Sequence, residues 1–212
     1  YTDYAKTFAK SHNMKVLFGF QAEQNNYKDI AAEKLGVIYP GKPTINTSTG
    51  MDSNNQKVAP NVAGGHNRWA TAGFFGRLNY DYLEKYLLEV NLRYDGSSRF
   101  RSDSRWGFFP SGAIAWAVSE EPFFKEWNQH VIDLIKIRAS YGLVGNDRIG
   151  GTRFPYLTTV TSTGDGGWGT GGIREGQLGT DGLVWEKAKK FDVGVDINLF
   201  NNKFSLTVDY FK

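Results

Sequence analysis

The sequence predicts an all-β chain: a segment of an antiparallel up-and-down transmembrane β-barrel, about eight strands long. Three observations predict it. Apolar and polar residues alternate strictly in segment after segment. Several of these segments are about twice the usual five or six residues of a globular strand. The connections alternate between short turns and long polar loops, which is the rim asymmetry of outer-membrane barrels, with short periplasmic turns and long extracellular loops.

The alternation is clearest from Leu87 to Asp95. Leu88, Val90, Leu92 and Tyr94 fall on one side, and Glu89, Asn91, Arg93 and Asp95 on the other. Successive side chains of a strand point to opposite faces, so this segment has one apolar and one charged wall. Leu78, Tyr80 and Tyr82 alternate in the same way with Arg77, Asn79 and Asp81. Ile135, Ile137, Ala139 and Tyr141 alternate with Lys136, Arg138 and Ser140. Val193, Val195, Ile197 and Leu199 alternate with Asp192, Gly194, Asp196 and Asn198. Phe204, Leu206, Val208 and Tyr210 are set against Ser205, Thr207 and Asp209.

The pattern places strands at about 2–9, 14–24, 67–82, 86–97, 107–119, 132–143, 184–199 and 203–212. Short turns fall at 10–13, 83–85 and 200–202, where Asn, Ser and Lys suit tight hairpins. The segments 25–66, 98–106 and 144–183 read as polar loops. If each connection switches ends, the short turns and the segment 120–131 share one rim. A soluble β-sandwich would also alternate, so that architecture stays open at this level. Loops of this length are uncommon in compact domains and weigh against it.

Composition narrows the function classes. The 25 Lys+Arg against 22 Asp+Glu leave a net charge of only +3, with no basic block to suit nucleic acid. There is no Cys, hence no disulfide framework or thiolate zinc site. The longest apolar run, Gly112–Val118, is far short of the ~18 residues of a spanning helix. The chain opens at Tyr1 in what already reads as strand, with no signal segment.

No catalytic, cofactor-binding or metal-binding set is expected. The three His, at 12, 66 and 130, have no metal-type spacing. No Gly-x-Ser-x-Gly elbow exists. Gly164-Asp-Gly-Gly-Trp-Gly169 satisfies a dinucleotide fingerprint formally, but more Gly and Thr follow where a helix is required, so it reads as a flexible loop. Trp168 and Trp185, in or beside the longest loop, are candidate substrate contacts because an aromatic face can stack on a sugar ring; packing at the rim is the plainer reading. Tyr80, Tyr82, Tyr86 and Tyr94 suit interface girdles near strand ends. Gly96 and the serines of Asp95-Gly-Ser-Ser-Arg-Phe100 suit the start of a structured loop.

The candidate site residues are the two faces themselves. Arg77, Asn79, Asp81, Glu89, Asn91, Arg93 and Asp95 are expected to face the lumen or whatever fills it. Leu78, Tyr80, Leu88, Val90, Leu92, Val193, Val195 and Ile197 are expected to face lipid.

An ordered series of motifs resembles the SusC/RagA family of TonB-linked outer-membrane transporters of Bacteroidota. It begins with Phe75–Tyr82 and Lys85–Phe100, and continues through Trp106–Ser111, Ser119–Glu121, Leu134–Gly142 and Gly145-Asn146. Trp185–Lys187, Phe191–Asp196, Leu199–Asn202 and Val208–Tyr210 complete it. The match is firm over residues 67–212, looser over 1–24 and weak over 25–66. The resemblance implies a barrel of about 22 strands with an N-terminal plug and a TonB-contacting segment, neither read in this chain. It also implies a SusD-like surface lipoprotein as partner, TonB engaged through the N-terminal part, outer-membrane lipid around the wall, and an oligosaccharide or peptide as substrate. Residues 1–212 would be part of the barrel domain alone. A siderophore receptor, a passive porin or a soluble carbohydrate-binding sandwich are the alternatives.

Overall fold

The computed structural model describes all residues except 128–130, 149, 151–153 and 167–169. The chain divides into two compact units, Tyr1–Glu23 with Ala70–Lys212, and Gln24–Trp69.

The strands of the main sheet are β1 (Thr2–Phe8), β2 (His12–Glu33), β3 (Asn61–Tyr82), β4 (Tyr86–Ser97), β5 (Trp106–Ala117), β6 (Ile132–Asn146), β9 (Glu186–Leu199) and β10 (Phe204–Phe211). Their order is β1-β2-β3-β4-β5-β6-β9-β10, each beside its neighbour in sequence, as a meander requires. A separate hairpin, β7 (Val160–Gly166) with β8 (Thr170–Glu175), lies in the connection from β6 to β9. An α-helix, α1 (Pro122–Trp127), follows a 3₁₀ turn, Val118–Glu120, between β5 and β6.

Register settles which residues share a face, because directly opposed residues of an antiparallel pair point the same way. Leu78 opposes Val90, which opposes Gly112, which opposes Tyr141, which opposes Phe191. Asn79 opposes Glu89, then Ala113, Ser140 and Asp192 in the next strands. The sheet therefore keeps one apolar and one polar face across its strands.

The apolar face is not covered by a second layer. Phe18, Phe74, Leu92, Tyr94, Phe108, Ile114, Tyr141 and Val208 are all exposed, Ile114 by 61%. Among the described residues the buried hydrophobic ones are Phe100, Phe109, Ala117 and Phe124, far too few for the core of a sandwich. A contiguous apolar surface of this extent marks a non-aqueous neighbour. Among the described residues no helix is long and apolar enough to cross a membrane.

The tight turns share one rim. Phe8 O accepts from Ser11 N, Tyr82 O from Lys85 N, and Phe200 O from Lys203 N. Between each pair lie two residues of positive φ: Ala9 and Lys10, Leu83 and Glu84, Asn201 and Asn202. This primed-turn geometry matches the right-handed strand twist. Neighbouring connections are also stitched together: Leu83 N donates to Ser11 O, Ala117 N to Lys85 O, and Phe200 N to Val131 O. Glu84 sits at φ 58°, where a side chain costs roughly 1–2 kcal/mol. Glu84→Gly is expected to raise stability by about 1 kcal/mol. The check is the unfolding midpoint of the barrel in detergent.

Two of the predicted loops require correction. Residues 25–33 and 61–66 are strand, not loop, and residues 160–166 and 170–175 form a hairpin. Residues 24–33 are exposed on both faces. A strand with no buried face has no reason to alternate, so periodicity cannot reveal it. The turn between β1 and β2 is residues 9–11, with His12 and Asn13 already paired in the sheet.

In the unit Gln24–Trp69, the connection 34–60 is folded by its own backbone bonds. Thr49 N donates to Gly36 O, Gly50 N to Leu35 O and Val58 N to Gly50 O. Asp52 Oδ1 accepts from Asn54 N and Gln56 N, closing a smaller turn.

Candidate functional site

The polar face is a hydrogen-bonded lattice. Arg77 Nε donates to Asn91 Oδ1 at 2.6 Å, and Asn91 Nδ2 donates to Glu89 Oε1 at 2.7 Å. Arg93 holds Asp95 with two bonds of 3.0 Å. Asp81 accepts from Asn13 Nδ2 at 2.8 Å. Six of the seven residues predicted for this face are thus tied to one another or to the adjacent strand. The seventh, Asn79, keeps a buried Oδ1 with no hydrogen-bond partner among the described residues.

The most charged point was not singled out from the sequence. Arg138 on β6 donates to Asp192 and Asp196 on β9, each at 3.2 Å, and to Asp209 on β10. It spans β9 because Gly194 has no side chain: a Cβ there would meet both the guanidinium and Asp209. Thr207 adds a bond to Asp196 at 3.0 Å. All four charged residues belonged to the polar half of the alternation; only the register of three strands brings them together.

The apolar face carries an aromatic row near each end. Toward the short turns, the ring centroids of Tyr82 and Tyr86 lie 6.4 Å apart and those of Tyr86 and Trp116 6.5 Å apart. His12 lies 4.7 Å from Tyr82 and within 2.7 Å of the Tyr80 hydroxyl. Toward the other end, Tyr94 stacks on Trp106 at 4.9 Å, and Phe74 meets Phe20 at 4.9 Å. From Tyr86 to Tyr94 the strand covers about 27 Å at ~3.4 Å per residue, or roughly 21 Å of height at a tilt of about 40°. That is close to the apolar band of an outer-membrane barrel. Leu78, Tyr80, Leu88, Val90, Leu92, Val193, Val195 and Ile197 all lie on this face.

At the long-loop end, Trp185 packs inward. Its ring meets Phe100 at 5.3 Å and Phe109 at 5.1 Å, and its N–H donates to Arg105 O at 2.9 Å. Gly107 and Gly145 make room for the Phe109 ring, which a Cβ at either would strike. Asp147 ties the same loop, accepting from Ser97 Oγ at 2.8 Å and pairing with Arg99 at 3.1 Å. The other candidate contact, Trp168, lies outside the described residues, as do Gly167 and Gly169 of the formal dinucleotide pattern.

At the short-turn end, Glu121 is clamped. Its carboxylate accepts from Tyr86 Oη at 2.7 Å, Trp116 Nε1 at 3.1 Å and Lys85 Nζ at 3.3 Å. The Tyr86 hydroxyl bond, followed by that of Trp116, holds its carboxyl below the ordinary glutamate range. A lowered folded value means that the clamp contributes fully above the ordinary value of about 4.3 and fades as pH falls through the lowered one. The hydrogen-exchange protection factors of residues 118–127, which correct for the intrinsic pH dependence, are expected to fall in acid, and in Glu121→Gln to be low at every pH.

Among the described residues no cluster of three His, Asp or Glu could hold a metal ion. What the arrangement offers is a two-faced wall, one face apolar and one hydrogen-bonded and charged. A family model described as TonB dependent receptor-like, beta-barrel matches residues 1–212. The chain belongs to the TonB-dependent receptor family. It is 31% identical over 210 residues to TonB-dependent receptor P26 of Formosa agariphila, covering 98% of this chain and 20% of that protein. It is 36% identical over 148 residues to TonB-dependent receptor SusC of Bacteroides thetaiotaomicron, covering 66% of this chain and 14% of that protein. Among solved structures it is similar to the RagAB peptide transporter, with a TM-score of 0.83 and 23% identity, over 99% of this chain and 22% of that one. The RagAB peptide importer in its open-open state gives a TM-score of 0.81.

The SusC/RagA resemblance read from the motifs and the barrel-segment fold read from the alternation and connection lengths are both borne out. The chain spans about a fifth of the length of the P26 relative. Its family is one of receptors rather than enzymes, and its place is the bacterial outer membrane.

Proposed function

We propose that this chain forms part of the barrel wall of a TonB-dependent importer that takes a glycan or peptide across the outer membrane. The observation that carries the reading is the wall itself: one continuous apolar face left uncovered, bounded by aromatic rows, and one hydrogen-bonded charged face behind it. The apolar face meets lipid, and the polar face meets the lumen. The names of the relatives support the cargo class, since one is SusC and the other a peptide transporter.

In the whole protein, Arg77, Asn79, Asp81, Glu89, Asn91, Arg93 and Asp95 hold a plug by hydrogen bonds and ion pairs. The unpartnered Asn79 Oδ1 is an acceptor suited to that contact. Long loops capture substrate non-covalently with a SusD-like lipoprotein, and TonB, engaged through the N-terminal part, rearranges the plug. The wall needs no cofactor and performs no catalysis.

The test is gentle extraction of the full-length protein from outer membranes. A SusD-like lipoprotein is expected to co-purify, and deletion of TonB is expected to abolish uptake of the oligosaccharide or peptide. Uptake without TonB would favour a passive porin. A chain recovered without detergent would overturn the membrane wall.

A further inference from the structure

The connection from β5 to β6, residues 118–131, differs from its neighbours at the same rim. The others are tight turns, and this one contains a helix and the Glu121 clamp. The clamp has a direction. Tyr86 and Trp116 are opposed in register on the apolar face, and both donate to the same Glu121 oxygen. The start of α1 is therefore tied to the lipid side of the rim, not to the lumen side.

The helix then presents two neighbouring rings with opposite fates. Phe124 is 8% exposed, whereas Phe123 is 59% exposed. Successive helical residues point about 100° apart, so fixing Phe124 inward turns Phe123 outward. Two of the three carboxylates on this segment are matched: Glu120 pairs with Lys125 at 2.7 Å and Glu121 with Lys85 at 3.3 Å, while Glu126 is exposed. The carboxylates nearest the clamp are thus neutralised, and both lysines suit headgroup depth.

We propose that residues 118–127 are a membrane-surface anchor, with the Phe123 ring seated at the headgroup–acyl boundary of the phospholipid leaflet on the short-turn side. The anchor rests on the reading of the apolar face as lipid-facing. It extends the aromatic row beyond the strands and fixes the height of the wall in the bilayer.

The chain has no Cys, so single cysteines in the full-length protein, freed of any elsewhere, can carry an environment-sensitive fluorophore. Phe123→Cys, Ile114→Cys on the wall and Glu84→Cys in the adjacent turn are compared. The probe is phosphatidylcholine vesicles carrying a nitroxide near the top of the acyl chain. Quenching at 123 is expected to reach about half of that at 114 or more, with little at 84. Adding Glu121→Ala is expected to reduce quenching at 123 about twofold and leave 114 unchanged. Quenching at 114 but not at 123 overturns the anchor and leaves the wall intact. Quenching at neither overturns the wall reading itself. Unchanged quenching at 123 in Glu121→Ala overturns the clamp as its cause.

Discussion

An arginine at position 90 is expected to cost about 2–4 kcal/mol, while one at position 113 costs close to nothing. Val90 lies midway between Tyr86 and Tyr94 on the apolar face, opposed by Leu78 and Gly112. A guanidinium there must leave the hydrocarbon or drag water in, and the penalty is greatest at mid-depth. Ala113 is opposed by Glu89 and Ser140 on the polar face. An arginine there gains a carboxylate neighbour and keeps its hydration. Gly112 opposes Val90, so Ala113 on the next strand lies one step away at nearly the same depth but on the other face, and the comparison reads facing. The measurement is the fraction of protein recovered from outer membranes in the compact, heat-modifiable form. Val90→Arg should lose most of it and Ala113→Arg almost none. Equal losses would mean that the two faces do not meet different media.

The wall was legible because a barrel strand between lipid and a wet lumen must alternate, and each step of Leu87–Asp95 carries that signal. The signal disappears where the medium is water on both sides. Residues 24–33 are exposed along both faces of the strand, so their side chains carry no apolar alternation. The β7–β8 hairpin is rich in Gly and Thr and offers no apolar period to read. Facing could be read one strand at a time, but partnership could not. Arg138, Asp192, Asp196 and Asp209 become a unit only when β6, β9 and β10 are laid in register, and the turn at 200–203 supplies just one of the two registers needed. Glu121 was visible only as part of the quoted Ser119–Glu121 motif, because its partners lie on two strands and a turn.

Phe100→Ala is expected to open the loop 98–105 at a local cost of about 3–5 kcal/mol. Phe100 is fully buried in a chain whose other large rings are mostly exposed. Its ring is held by Trp185, and Trp185 by Phe109 and the Arg105 carbonyl. Ser97 and Arg99 are fixed from the far side by Asp147. The loop thus depends on one aromatic plug with polar ties around it, and emptying the plug leaves a cavity that short loop segments do not fill. A loss of even 3 kcal/mol raises the open population by roughly a hundredfold when opening is local. Arg99, paired in the closed loop, becomes a tryptic site in the open one. Trypsin applied to intact cells should cleave after Arg99 at least about tenfold faster in Phe100→Ala than in the parent. Phe100→Leu should change the rate far less. Trp185→Ala should match Phe100→Ala, since both remove the same contact. If Trp185→Ala leaves the loop protected yet impairs uptake, the indole serves substrate rather than packing. If Phe100→Ala leaves Arg99 protected, the Asp147 ties alone hold the loop closed.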